Sequence, residues 1–532
     1  LQSLKEKRRG CAMLFRIFVY GAALFTTALG SSYLATQVTA GNMTVCAIVD
    51  KNLRCWGNAD DERLPDQWGD EPNEMGAYLP SIDFGQTVQA VKVSSHICVL
   101  LNDGTMRCWG KNTDGQCGAG HANNIPVTSA VTVDLGTGRT ATDIAVGITH
   151  SCAVLDDETL KCWGSNAHGQ LGQGNTQPIG VQGNQMGDNL TAINLGTGAS
   201  ASQVVCGSGF TCALLSGSNS VKCWGRNHYG QLGLGIGAST WGGALNQMGD
   251  ASPTVQLGTG RWAKQISANR FHVCAILDNW SAKCWGYNSN GQLGQDHLNN
   301  IGDDILKMGD FLPAITLNDD VESISAGKHH TCAILHTGAL KCWGDNAGGQ
   351  LGTHLYSEVT AVWSDISTFP DVSLGTGRQA DEVSCSFGDV TCVMLDDQTV
   401  KCFGRNAQGQ LGQGDTDTRG ISAGQMGDSL LPVDLISPTT STTISTSSTK
   451  STSTTASSTT SRTWSSTSAT TTTSRTSSST SASITSTLTT SSTFTHSATT
   501  STSTSTTIST TISRTSSSTS ASITSTQTQG PP

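Results

Sequence analysis

Hydrophobic positions in this chain come in short bursts. Runs such as "DIAV" from Asp143 and "CAVL" from Cys152 each give way to a turn bearing Gly, Asn or Asp. Between residues 31 and 435 no segment sustains helical periodicity, so the pattern predicts many short β-strands. The bursts also recur in a fixed order. An apolar segment ending in a small residue ("DIAVG", "SISAG") leads to Cys-Ala-Ile-Leu, a polar turn and Lys-Cys-Trp-Gly. Gly-Gln-Leu-Gly, a variable loop and a Pro-x-Val-x-Leu segment complete the unit.

The second cysteine of each unit falls at Cys55, Cys108, Cys162, Cys223, Cys284, Cys342 and Cys402, so there are seven units spaced by 53 to 61 residues. Each holds about four strands. A lone sheet of that size cannot cover both its faces, so the repeats predict blades packed radially around a central channel. The first unit has no upstream Pro-x-Val-x-Leu segment and the seventh is followed by "LLPVDL" at Leu430 to Leu435. The expectation is that this last strand completes the first blade. The stretches "HTCAIL", "KCWGDNAGGQLG" and "LPAITL" of the sixth unit, with their counterparts, resemble the regulator of chromosome condensation repeat family over roughly residues 33 to 435. The resemblance implies an all-β, seven-bladed propeller. The first unit departs from the pattern, since "NADDERLPDQWG" replaces Gly-Gln-Leu-Gly, and its blade is expected to be irregular.

Cysteine spacing adds a constraint. If Cys152 faces Cys162 across a hairpin, Ala153 meets Lys161, Val154 meets Leu160, Leu155 meets Thr159, and Asp156-Asp157-Glu158 is the loop. The same arithmetic gives a two-residue loop for Cys46/Cys55 and a four-residue loop for Cys212/Cys223, all common hairpin lengths. Directly opposed residues on such a hairpin are close enough for a disulfide. Seven bridges are expected: Cys46/Cys55, Cys98/Cys108, Cys152/Cys162, Cys212/Cys223, Cys274/Cys284, Cys332/Cys342 and Cys392/Cys402. Zinc is the rival reading, but two thiols on one hairpin leave half a tetrahedral site empty; reduced core thiols are the other. Of the remaining four cysteines, Cys11 would leave with a leader, and Cys117, Cys206 and Cys385 are expected as unpaired, mostly buried thiols.

Charge and composition place the chain more than they shape it. It has 532 residues with 30 Lys and Arg against 40 Asp and Glu. Setting aside five basic residues and one acid in residues 1–16, and four basic residues in the tail, leaves 21 and 39, a balance of −18 for residues 31–435. Such a surface repels phosphate backbones, which argues against nucleic-acid partners. At the N-terminus "KEKRRG" precedes an apolar-to-neutral run from Ile17 to Leu29. Its length suits the core of a secretory signal cleaved before Ser31, and Leu1 in place of Met keeps a signal anchor open. Residues 436–532 are almost wholly Ser and Thr and repeat "SRTSSSTSASITST"; they read as an O-glycosylated stalk or a disordered tail. The expected organisation is therefore a signal peptide or anchor at 1–30, a propeller at 31–435 and a low-complexity tail at 436–532.

Several repeated or clustered residues are candidate sites, each with a structural role as its rival. The tryptophans Trp56, Trp109, Trp163, Trp224, Trp285 and Trp343, with Phe403 in the seventh unit, repeat so strictly that packing between blades explains them better than a ligand ring. Histidines His96, His150, His272 and His330, two residues before the first cysteine, read as turn-stabilising groups. The acidic loops "GQDHLNNIGDD" and "GQGDTDTRG" lack a dense calcium-ligand spacing and read as solvated turns. Asn42, Asn189 and Asn279 head glycosylation sequons, the last on a hairpin tip.

No nucleophile, acid and base constellation recurs, and no phosphate-binding glycine loop is present. No enzyme activity, metal or cofactor is expected. The expectation is a secreted or cell-surface scaffold binding a protein or glycan through rim loops, notably "LGLGIGASTWGGALNQMGD" and "LGTHLYSEVTAVWSDISTFP". The sequence names neither the ligand nor its contact residues. Family resemblance implies the alternative: an intracellular regulator of a small GTPase, or the substrate-recognition part of a ubiquitin ligase.

Overall fold

A computed structural model of the chain describes residues 35–354 and 366–435. The leader-like segment, the Ser/Thr tail and part of the rim loop within 351–370 lie outside the described residues. Within them the chain forms seven antiparallel sheets, one per repeat. Each blade begins with an inner strand: Ala35–Ala40, Val88–Val93, Ala141–Val146, Ala201–Cys206, Ala263–Ala268, Val321–Ala326 and Ala380–Cys385. All seven line one central cavity of about 250 Å³. The Cys-Ala-Ile-Leu strand comes next, buried at every residue because blades cover it on both faces, and this is why it reads as continuous apolar sequence. The Lys-Cys-Trp-Gly strand completes the hairpin. Among the described residues no helix is long and apolar enough to cross a membrane.

Hairpin register follows from cysteine spacing. Cys152 pairs with Cys162, Ala153 with Lys161 and Val154 with Leu160, and Leu155 N–H donates to Thr159 O at 2.8 Å. In the first blade Val49 pairs with Asn52, leaving Asp50 and Lys51 as a two-residue loop. Both have positive φ, 51° and 70°, as a tight hairpin whose twist matches its strands requires.

Two expectations are corrected. A fourth strand is present only as a two-residue ladder in three sheets, at Ser81–Ile82, Val131–Thr132 and Thr240–Trp241. Thr240–Trp241 belongs to the rim loop; in that blade and the remaining ones the Pro-x-Val-x-Leu segment reaches the sheet by a backbone bond, such as Val255 N–H to Val221 O at 2.8 Å and Ile193 N–H to Leu160 O at 2.7 Å. The physical reason is that this segment divides its carbonyls between two blades: Leu195 O accepts from Lys222 of the following blade at 2.8 Å. Closure also differs from expectation. Leu430–Leu435 does not complete the first blade, which supplies its own outer strand at Ser81–Ile82. Val433 N–H instead donates to Val400 O in the seventh blade at 2.7 Å, while Asp434 O accepts from Gly76 N–H of the first at 2.9 Å. Asp134 O and Gly187 N–H make the same bond, at 3.0 Å, between the second and third blades. The seam is thus one more copy of a repeating interface and needs no exchanged strand.

Inner strands present edges toward the channel, and side chains from adjacent blades satisfy them. Gln37 Oε1 accepts from Val91 N–H at 2.9 Å, Asp143 Oδ2 from Val204 N–H at 3.0 Å and Gln203 Oε1 from Ile266 N–H at 3.0 Å. Ser267 and Ser325 do the same for Ala326 and Cys385, and Glu382 Oε2 accepts from Val38 N–H at 2.9 Å across the seam. Burial raises the Glu382 carboxyl to about 7, against the lowering effects of the Val38 bond and Lys92; Asp381 adds to the rise. Because the folded pKa lies above the unfolded one, this group's contribution is full below about pH 4.5 and is lost as pH rises through 7. Glu382→Gln keeps an acceptor for Val38 but carries no charge. We expect it to be more stable than the parent at pH 8 by an amount on the order of 3 kcal/mol, with the gap closing near pH 4, as read by urea midpoints.

Candidate binding site at one mouth of the channel

The structure joins the fourteen hairpin cysteines as Cys46–Cys55, Cys98–Cys108, Cys152–Cys162, Cys212–Cys223, Cys274–Cys284, Cys332–Cys342 and Cys392–Cys402, with Cα separations of 4.1 to 4.2 Å. Cys117, Cys206 and Cys385 are unpaired and buried, and burial pushes all three thiols well up. His150 and His330 lie near cysteine sulfurs, but Cys152 and Cys332 in those groups are held in disulfides and offer no thiolate.

Blade interfaces absorb most of the repeated side chains. The six tryptophans are fully buried, and each indole N–H donates to a carbonyl of the preceding blade: Trp163 to Gln116 O at 3.0 Å, Trp224 to Gln170 O at 3.0 Å, Trp343 to Gln292 O at 3.1 Å. That carbonyl is the glutamine of Gly-Gln-Leu-Gly. In the irregular first unit Arg63 O takes its place, accepting from Trp109 at 2.8 Å. The glutamine carbonyl also accepts from the Ser or Thr before the next cysteine, as from Thr211 to Gln170 O at 2.8 Å.

The histidines act across the same seam rather than within their own turns. Since the Thr211 hydroxyl proton is directed to Gln170, His150 Nε2–H is the donor in its 2.9 Å contact with Thr211 Oγ1. His96, His272 and His330 contact Ser151, Thr331 and Thr391 likewise. Burial holds these imidazoles down at about 3 to 4, so they stay neutral. Sequence reasoning missed the lysine of Lys-Cys-Trp-Gly. Lys161 is buried and donates to Leu135 O and Gly187 O, both at 2.9 Å, binding two blades together. Its recurrence, as Lys in five units and as Arg54 and Arg107 in the first two, directly before the second cysteine was the available signal.

Sequon residues Asn42, Asn189 and Asn279 are exposed, but Thr44 is buried and donates to Asn58 O at 2.8 Å. In the acidic loops, Asp303 and Asp415 pair with Lys307 and Arg419 at 2.8 and 2.6 Å.

With these residues in structural roles, the two ends of the channel differ in charge. Hairpin tips and return loops at one end carry Asp156, Asp157, Asp278, Asp396 and Asp397, bridged in part by Arg139, Arg261 and Arg378. The other end is built from turns between inner and second strands and residues just past Cys-Trp-Gly. There a depression of about 440 Å³ gathers Arg226, Arg270, Lys328 and Arg405 around Asp389, which Lys328 contacts at 3.0 Å, and the Asp345 carboxylate lies within 4.8 Å of that of Asp389. Phe271 stands between two guanidiniums, with Arg226 and Arg270 each 5.1 Å from its ring centre. Tyr229 lies 5.1 Å from Phe271 and 4.8 Å from Tyr287. Arg226 and Arg270 thus lie over aromatic faces, which orients them while leaving their outer N–H groups for a ligand. Nearby His168 and His329 have depressed pKa values, burial being the main cause, and add no charge at neutral pH. Asn269 bonds Ala326 O and Cys385 O at 3.0 and 3.2 Å, tying three blades together where the mouth meets the channel.

The fold therefore defines a repeat-built β-propeller, a scaffold that carries its binding loops on a rigid ring. Family models described as "Regulator of chromosome condensation (RCC1) repeat" match residues 93–116, 141–170, 201–231, 263–292 and 321–350, and a second of the same description matches 284–334. The described residues thus form a disulfide-bearing propeller, and the stretches matched carry regulator of chromosome condensation repeats. It is 27% identical over 260 residues to the ultraviolet-B receptor UVR8 of Arabidopsis thaliana, covering 49% of this chain and 53% of that protein. With the probable E3 ubiquitin-protein ligase HERC4 of Mus musculus it shares 28% identity over 365 residues, covering 59% and 32%. The chain spans about half or less of these curated relatives. Among solved structures, Prp20p of Saccharomyces cerevisiae matches at 18% identity with a TM-score of 0.50, covering 66% of this chain and 80% of that one, which bears on the fold alone.

Proposed function

We propose that this propeller is a non-enzymatic extracellular recognition scaffold that binds a protein or glycan through one rim, with the Ser/Thr tail holding it away from a surface. The observation that carries this reading is the set of seven hairpin disulfides, one per blade. Such bridges persist in oxidising compartments and are rare in the cytosol. The leader-like run from Ile17 to Leu29 and the exposed Asn279 on a hairpin tip support the same address. Relatives favour a second reading, an intracellular regulator: the HERC4 match is named as a probable ubiquitin ligase, and the Prp20p structure is titled for binding to Gsp1p and histones.

Expression of the tagged full-length chain, with and without residues 1–30, separates the two. The intact chain is expected in the secretory pathway with glycosidase-sensitive mobility, and the truncated one in the cytosol. Cytosolic or nuclear accumulation of the intact chain would overturn the extracellular reading.

A further inference from the structure

We propose that the basic, aromatic mouth binds an acidic polysaccharide, a carbohydrate chain bearing carboxylate or sulfate groups. This inference deepens the extracellular reading above and rests on it for the ligand's source. Three chemistries meet at the mouth. Arg226, Arg270, Lys328 and Arg405 outnumber Asp389 and the neighbouring Asp345, on a domain whose overall balance is −18, so positive charge is concentrated against the general trend of the surface. Guanidiniums offer paired N–H groups to carboxylate or sulfate oxygens. Phe271, Tyr229 and Tyr287 form a contiguous, partly exposed cluster, suited to the flat C–H face of a sugar ring. Across the depression Asn42, Ser94, Ser95 and Ser208 supply neutral polar groups that match hydroxyls.

Ser94 adds an independent pointer. Its side chain is only 1% exposed, it lines the depression, and its Oγ has no hydrogen-bond partner among the described residues. A buried hydroxyl left without a partner is costly, and a ligand hydroxyl reaching into the depression would satisfy it. An acidic peptide would use the cations but has no ring face for the aromatic cluster. Charge complementarity together with that cluster therefore favours a sugar chain over a polypeptide.

The test uses the full chain, with polygalacturonate as probe and uncharged dextran and poly-L-glutamate as comparisons, by calorimetry or surface binding at two salt concentrations. Polygalacturonate is expected to bind with an affinity that falls as salt rises, and dextran to show none. Arg226→Ser with Arg270→Ser is expected to weaken polygalacturonate binding about tenfold or more, since hydrogen bonds to charged groups are of that size. Tyr229→Leu is expected to weaken polygalacturonate several-fold and to leave poly-L-glutamate unchanged. Arg139→Ser with Arg378→Ser, at the opposite end, is expected to change neither. An unchanged thermal midpoint checks that each variant folds, and Lys328→Gln replaces any that does not.

Equal affinity for poly-L-glutamate, or no loss on Tyr229→Leu, would overturn the sugar assignment. Absence of polyanion binding, or loss only in the opposite-end variant, would overturn the site. A secreted chain that ignores polygalacturonate sinks this inference alone. A cytosolic chain sinks the extracellular reading while leaving the mouth's affinity measurable.

Discussion

Unfolded in denaturant, reduced and returned to buffer without oxidant, the chain is expected to remain unfolded at physiological temperature. The seven bridges join residues only 9 to 11 apart, so each closes a small loop. In the chain-entropy model each stabilises by roughly 2 to 3 kcal/mol. Seven together amount to about 14 to 21 kcal/mol, as much as or more than the ~5 to 15 kcal/mol net stability of ordinary domains. Because the cysteines are 0 to 3% exposed, reductant in native buffer is expected to act slowly, only as blades open. Near-UV circular dichroism and hydrodynamic radius read the outcome; a reduced, alkylated chain that regains its native signal would refute it. Alkylation of the unreduced, denatured chain from residue 31 onward should label three cysteines, Cys117, Cys206 and Cys385, with fourteen more after reduction. Fourteen or more labelled before reduction would sink the pairing.

The second large effect is expected at a blade seam. Trp224 is wholly buried between the third and fourth blades, and its indole N–H meets the same Gln170 carbonyl that Thr211 uses. Trp224→Ala removes ring and bond together and is expected to destabilise by about 3 to 5 kcal/mol. Trp224→Phe should cost about 1 to 2 kcal/mol, the order of one buried hydrogen bond plus a small void. Phe403 already fills this position in the seventh blade, where Gln350 O keeps its bond from Thr391 at 2.7 Å. Gly172 explains why the loop ends as it does. Its φ is +64°, and an added Cβ would lie 2.9 Å from Trp224 Nε1, so Gly172→Ala is expected to push the indole off its carbonyl. Equal urea midpoints for Trp224→Ala and parent would show that the seam does not depend on the ring.

Blade count, hairpin register and the burial of tryptophan were legible in the residues because they depend on local spacing. A loop length sets which residues oppose one another, whatever lies beyond the hairpin. The histidines were misread as turn groups for a related reason. Their position beside a turn is visible in the sequence, whereas Thr211 and its counterparts are about 60 residues away and become neighbours only when blades stack. The lysine struts, the side-chain clasps around the channel and the true place of Leu430–Leu435 all belong to that same class of contact between units.

The mouth was the least legible feature. Arg226, Arg270, Lys328 and Arg405 are scattered over nearly 180 residues, in four different repeats, and nothing in any single repeat marks them. What the sequence alone determined is everything that a repeat does within itself: its strands, its hairpin, its opposed thiols and its apolar seam. What only the tertiary structure decided is what repeats do to one another, because ring closure turns equivalent positions in distant units into adjacent side chains around one axis.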